Sequence, residues 1–101
     1  MHNKIASIHG IQIRLTSERW AHIVEEHCEL AGMRGDVLEA VSCPDNVFQG
    51  KYGEPLAVKE LSEGKFLIAV YREGNNDGFV ITAFLTRRIS YFNRRKRIWP
   101  N

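Results

Sequence analysis

Apolar and polar positions alternate in two short stretches near the start of the chain, Ile5-Ala6-Ser7-Ile8 and Ile11-Gln12-Ile13-Arg14-Leu15, with His9-Gly10 between them. A period of two is that of a half-buried strand, so a strand or hairpin is expected here. The period then changes. Trp20, Ile23, Val24, His27 and Leu30 recur at three- and four-residue spacing, which predicts an amphipathic helix over Glu18–Leu30. Thr16 or Ser17 supplies an N-cap oxygen, and Glu18 falls in the first turn, where the helix dipole favours an acid. Glu18, His22, Glu25, Glu26 and Glu29 occupy the rest of that helix surface. After Gly32 and Gly35, Asp36 is expected to cap a shorter helix that turns Val37, Leu38 and Val41 inward. Cys43-Pro44 ends it, because the residue before a proline resists helical angles.

From Asn46 onward the pattern is that of strands. Val47-Phe48-Gln49 is short; Pro55–Leu61, Lys65–Arg72 and Gly78–Thr86 are longer. Ser62-Glu63-Gly64 and Gly74-Asn75-Asn76-Asp77-Gly78 are turn chemistry between them. Loops this short join antiparallel neighbours. The expected fold class is α+β: an N-terminal strand or hairpin, two helices on one face, then an antiparallel β-meander. Arg88–Asn101 is expected to form a helical turn or an irregular strap, with Trp99 as its apolar anchor.

With 101 residues, the chain is expected to be a single domain spanning 1–101, with one modest core. It contains no run of about 18 apolar residues, so no membrane span is expected. The segment Met1–Ile5 does not open an apolar leader. Cys28 and Cys43 stand singly, without metal-site or redox spacing. Reduced thiols in a cytoplasmic protein are the expectation, with no cofactor and no metal. Charge changes the picture more. Residues 1–86 carry a net charge of −4, whereas 87–101 carry +6 from Arg87, Arg88, Arg94, Arg95, Lys96 and Arg97, with no acid among them. A basic segment on an acidic body is directed at an anion, RNA first, with an acidic protein second.

The candidate chemistry follows from these positions. His22 and His27 are about 140° apart round a helix, so they do not form a metal pair. His27 lies on the apolar stripe and is expected to face the sheet. His22 lies among acids, with Glu18 and Glu26 each four residues away. In the last long strand, Thr82 and Thr86 are expected to share a face with Val80 and Phe84, and Arg87 and Arg88 close it. Arg72 ends the preceding strand. Lys59 interrupts an apolar run and must reach an edge or a partner. A histidine, a lysine, an arginine and a threonine in one cleft are suited to cleaving RNA through its own 2′-hydroxyl. Histidine moves protons near neutral pH, and cations hold the charge developing at phosphorus. The preferred base is His27, with His22 the other candidate.

Three segments carry a resemblance. Glu18 to His27 is similar to the R-x-x-H-I-x-x-x-H helix of small phage and toxin domains. Val37 to Val47 resembles their second helix and N-P-D-x-V turn, with Ser42-Cys43-Pro44-Asp45 at the turn. Val80-Ile81-Thr82-Ala83-Phe84 resembles their V-[IV]-T-A-[FY] strand. Their order over residues 11–90 resembles the barnase–EndoU–colicin–RelE-like nuclease superfamily, closest to its phage-associated branch and the BrnT-like toxins. The resemblance implies a RelE/barnase-like fold and a metal-independent endoribonuclease of toxin type, acting on mRNA or tRNA and neutralised by an antitoxin protein. His22, His27 and Thr82 map by motif; Lys59, Arg72, Thr86 and Arg87 join them on chemistry alone. The alternative is a non-catalytic RNA- or protein-binding module of the same fold. In either case Arg94, Arg95, Lys96 and Arg97 are expected to extend the contact surface or to bind a partner.

Overall fold

The computed structural model describes residues 3–101; Met1 and His2 lie outside the described residues. Strands β1 (Lys4–Ala6) and β2 (Gln12–Arg14) form the expected hairpin, with Ile5 opposite Ile13. Its turn closes where the Gly10 N–H donates to the Ser7 carbonyl, with Gly10 at φ 78°, backbone that only glycine adopts freely. Helix α1 covers Ser17–Glu26. Thr16 is its N-cap, and its hydroxyl accepts from the Arg19 N–H at 3.1 Å. The helix stops four residues earlier than the apolar stripe predicts. His27 leaves helical angles (φ −132°, ψ 71°), and Cys28–Leu30 forms a separate 3-10 turn that buries Leu30. A spacing of three serves both kinds of helix, so the stripe alone does not show the break. Helix α2 covers Arg34–Ser42; its cap position is Met33, and Asp36 lies inside the first turn instead of capping it.

The remaining strands are β3 (Asn46–Gln49), β4 (Pro55–Ser62), β5 (Lys65–Glu73), β6 (Asp77–Thr86) and β7 (Arg97–Trp99), with a 3-10 stretch, Ile89–Arg94, before the last. Among the described residues the seven strands form one sheet in the order β1-β2-β6-β5-β4-β3-β7. From β3 to β6 every neighbour is antiparallel, which is the expected meander. Two pairings are additional: β2 lies parallel to β6, and β7 adds to the far side of β3. The end of the C-terminal basic segment, Arg97–Trp99, is therefore built into the sheet. Trp99 and Ile98 pack against the helix-side core.

Both helices cover one face of the sheet. Ile23, Leu30, Val37 and Val41 meet Val47, Ala57, Leu67, Ala69, Val80 and Ala83 there. Each fully buried Leu, Ile or Val side chain contributes about 1.5–3 kcal/mol relative to exposure. The opposite face carries Phe48, Leu56, Val58, Ile68 and Val70, onto which the Ile89–Arg94 strap lays Phe92. Arg34, though nearly buried, ties the layers together by donating to the Leu15 carbonyl at 2.6 Å. Among the described residues no helix is long and apolar enough to cross a membrane.

One register detail sets what each face displays. Val70 is opposite Thr82, but Tyr71 is opposite Val80, so Ile81 is an extra residue in β6. The bulge reverses the alternation. Val80 points to the helices, while Thr82, Phe84 and Thr86 pair with Val70, Ile68 and Phe66 on the other face. The expectation that Val80 shares a face with Thr82 and Thr86 is thereby corrected.

At the end of β5, the Glu73 carboxylate accepts a hydrogen bond from the Ser7 hydroxyl and lies 2.9 Å from His9 Nδ1, which pins the first hairpin to the meander. Beside it Tyr71 is fully buried, and its hydroxyl has no hydrogen-bond partner among the described residues. Burial, and secondarily the Glu73 charge, pushes its phenol well above the ordinary tyrosine range. Gly78 sits between Ile13 and Glu73, where a Cβ would come 2.0 Å from the Arg72 carbonyl oxygen.

Candidate nucleic-acid interface

β2 accompanies β6 only across Asp77–Phe79. From Val80 to Thr86 that edge has no strand neighbour among the described residues. Helix α1 runs beside it instead. Thr16 to His27 covers about 16 Å of helix, and Phe79 to Phe84 covers about 17 Å of strand. The matched lengths bring both ends into contact. At one end Arg14, Thr16, Arg19, Phe79 and Val80 line a cleft of about 290 Å³. At the other, the His27 ring lies 6.2 Å from the Phe84 ring. Arg19, His22 and Glu26 fall within about 60° of one another round the helix; of these, Arg19 lines the cleft beside β6, while His22 and Glu26 are exposed. Trp20, on the other flank, borders a separate, mostly apolar groove of about 600 Å³ shared with Ile5, Leu38 and Ser42.

Rings continue from His27 across the sheet. Phe84 lies 6.3 Å from Phe92, and Phe92 meets Tyr91 edge-on at 5.2 Å. The Arg95 guanidinium lies 5.6 Å from the centre of the Tyr91 ring. Such spacings are those of aromatic and cation–π pairs. His27 is about a third exposed, and Glu29 Oε2 lies 3.7 Å from its Nδ1. The ring therefore has a carboxylate on one side and Phe84 on another, and it remains reachable from solvent.

Of the residues singled out from sequence, His27, Thr82 and Thr86 are gathered along the β6 edge. Arg72 lies on the Thr82 face, exposed and opposite Phe79. His22 is exposed on the α1 flank and pairs with neither Glu18 nor Glu26 among the described residues. Arg87 and Arg88 follow the strand, both exposed; the Arg88 N–H donates to the Thr86 hydroxyl at 3.0 Å. Arg94 ends the strap, and Arg95 is drawn onto Tyr91. Two placements are corrections. Lys59 is opposite Leu67 on the helix-bearing face, where its ammonium donates to the Cys43 carbonyl at 2.9 Å and lies 4.0 Å from Asp45. It caps the C-terminal end of α2 and takes no part in the Thr82 face. Arg97 lies in β7, four strand spacings from β6, or about 19 Å. It extends a different rim of the molecule, with Lys96 just before it.

Sequence reasoning passed over Arg14, Arg19, Phe79 and Tyr91. The helix motif itself contained the signal for Arg19, which precedes His22 by three residues and so shares its flank. Among the described residues no three His, Cys, Asp or Glu side chains gather to hold a metal ion. No protein-family model, curated protein or solved structure matches the chain.

Proposed function

We propose that this chain is a RelE/barnase-like endoribonuclease of toxin type that cleaves RNA without a metal ion, acts in the cytoplasm on mRNA or tRNA, and is held in check by an antitoxin protein. The observation that carries the reading is the meeting of His27, at the C-terminal end of α1, with the β6 edge: its ring lies against Phe84, and Thr82 is two residues away on the same face. An imidazole in partial contact with solvent is suited to take the proton of a ribose 2′-hydroxyl. The freed 2′ oxygen attacks phosphorus, the bond from phosphorus to the 5′ oxygen breaks, and a 2′,3′-cyclic phosphate remains. The departing 5′ oxygen takes up a proton, with His22 the histidine on the adjoining flank of α1. Thr82 donates to a phosphate oxygen, and Arg72, Arg87 and Arg88 supply the positive charge that favours the crowded phosphorane. With Lys59 committed to α2, the cations of the site are arginines, which suit phosphate through paired N–H groups.

The test is purified protein with total RNA in excess chelator. Wild type is expected to give discrete fragments ending in cyclic phosphate, and His27→Ala to lose at least about 100-fold in rate with an unchanged circular dichroism spectrum. Uncut RNA from the wild-type protein rejects the enzymatic reading. The ring series from His27 to Tyr91 favours a second reading, a non-catalytic module that binds single-stranded RNA by stacking. It predicts salt-sensitive binding with no cleavage.

A further inference from the structure

The cleft at the head of the α1–β6 groove has no role in the chemistry above. Arg14 and Arg19 line it with Thr16, Phe79 and Val80, and no acid is in the lining. Arg14 holds Asp77 at 3.1 Å with one guanidinium nitrogen, and its side chain is still 58% exposed. Arg19 is exposed, and its guanidinium makes no hydrogen bond or ion pair among the described residues. Among the described residues the Thr16 hydroxyl accepts only from the Arg19 N–H. Phe79 is 43% exposed next to Val80, which is fully buried. The strand therefore offers an open ring at the spot where two cations converge. A volume of about 290 Å³ is at the small end of ligand pockets, too small for a duplex and matched to one nucleotide.

We infer that this cleft is a nucleotide subsite. It stacks one unpaired RNA base on Phe79, holds the adjoining phosphate between Arg14 and Arg19, and so directs the strand along the β6 edge toward His27. The inference rests on the RNA reading above and adds a residue set, a substrate class and a path to it. Single-stranded RNA is the substrate, because the ring is reached only by a base freed from its partner. Phe79 and Arg19 contribute different physics, and the two are separable. Stacking is insensitive to salt, whereas each phosphate contact on a single strand contributes about 0.7 to the slope of log affinity against log salt concentration.

The experiment measures fluorescence anisotropy of a labelled, unstructured 2′-O-methyl RNA, which cannot be cleaved, across a salt series. Phe79→Ala is expected to weaken binding at least about five-fold with the slope unchanged. Arg19→Gln is expected to weaken binding and flatten the slope by about 0.7. Lys51→Gln, an equal charge loss in the β3–β4 turn, is expected to stay within two-fold of wild type, and a base-paired RNA of the same length to bind more weakly than the single strand. If wild type binds no RNA, the RNA reading itself fails. If wild type binds and Phe79→Ala and Arg19→Gln both bind as wild type does, the subsite alone is refuted. Equal losses in Arg19→Gln and Lys51→Gln also refute it, as they would mark diffuse attraction.

Discussion

Replacing Tyr71 by phenylalanine is expected to stabilise this protein, against the usual direction of core substitutions. The side chain, on β5, is fully buried in the helix-side core, and its hydroxyl has no partner among the described residues. A buried hydroxyl left unpaired costs about 1–3 kcal/mol of desolvation, and Tyr71→Phe removes that cost while keeping the ring. A gain of about 1 kcal/mol raises the Tm of a chain this size by about 4–5 °C. The pH dependence gives a second, independent reading of the same group. The folded phenol titrates above the ordinary value of about 10 because of burial and the nearby Glu73 charge. Above pH 10 the unfolded chain therefore loses this proton first and binds fewer protons than the folded one. Stability is fully present below pH 10 and falls as pH rises beyond it, by up to about 1.4 kcal/mol per unit. Urea unfolding followed by circular dichroism at pH 7 and at several values above 10 measures both effects. The advantage of Tyr71→Phe over wild type is expected to widen with pH, since the exposed Tyr52 and Tyr91 contribute equally to both proteins. A variant less stable than wild type at pH 7 would show that the hydroxyl is satisfied, and parallel pH curves would show that the phenol is not desolvated; either result refutes the reasoning.

Three other outcomes follow from the packing. Lys59→Ala is expected to cost about 0.5–1 kcal/mol, because a helix C-terminus loses its cation, and to leave the proposed RNA cleavage unchanged; a loss of that cleavage at full folding would return Lys59 to the proposed site. Gly78→Ala places a Cβ 2.0 Å from the Arg72 carbonyl oxygen and 2.8 Å from Ile13 Cδ1, so a loss of at least about 1–3 kcal/mol is expected in denaturant unfolding. Phe92→Ala uncovers the outer apolar cluster and is expected to cost about 3–5 kcal/mol, with increased binding of a hydrophobic dye; an unchanged unfolding midpoint would mean that the strap does not cover that face.

The two periods along the chain were enough to show the class of fold, since a half-buried strand and an amphipathic helix each announce themselves within a few residues. Both helices and all four meander strands follow from such local signals. What escaped depends on partners distant in sequence. Nothing in Val80-Ile81-Thr82 marks Ile81 as extra, because two β-branched apolar neighbours fit either face; the bulge is visible only against Val70 and Tyr71. Lys59 looked like a site cation because alternation does not say that Cys43 ends a helix beside it. Arg97 looked continuous with Arg87 until the strap carried it across the sheet. The early end of α1 was hidden by a spacing that suits 3-10 and α geometry alike, and that break frees His27 to reach Phe84.

The parallel pairing of β2 with β6 also bears on the order in which the molecule assembles. Each hairpin of the meander joins neighbours in sequence, but Gln12 meets Asp77 only across most of the chain's length. Closing a long loop must await its ends, and contacts of large sequence separation form slowly. During synthesis β2 and α1 emerge first and remain without their neighbour until β6 has left the ribosome. The groove that gathers His27, Thr82 and the Arg19 cleft thus requires β6, a strand made late in the chain. A growing chain carries His22 and His27 long before β6 is there to lie beside them.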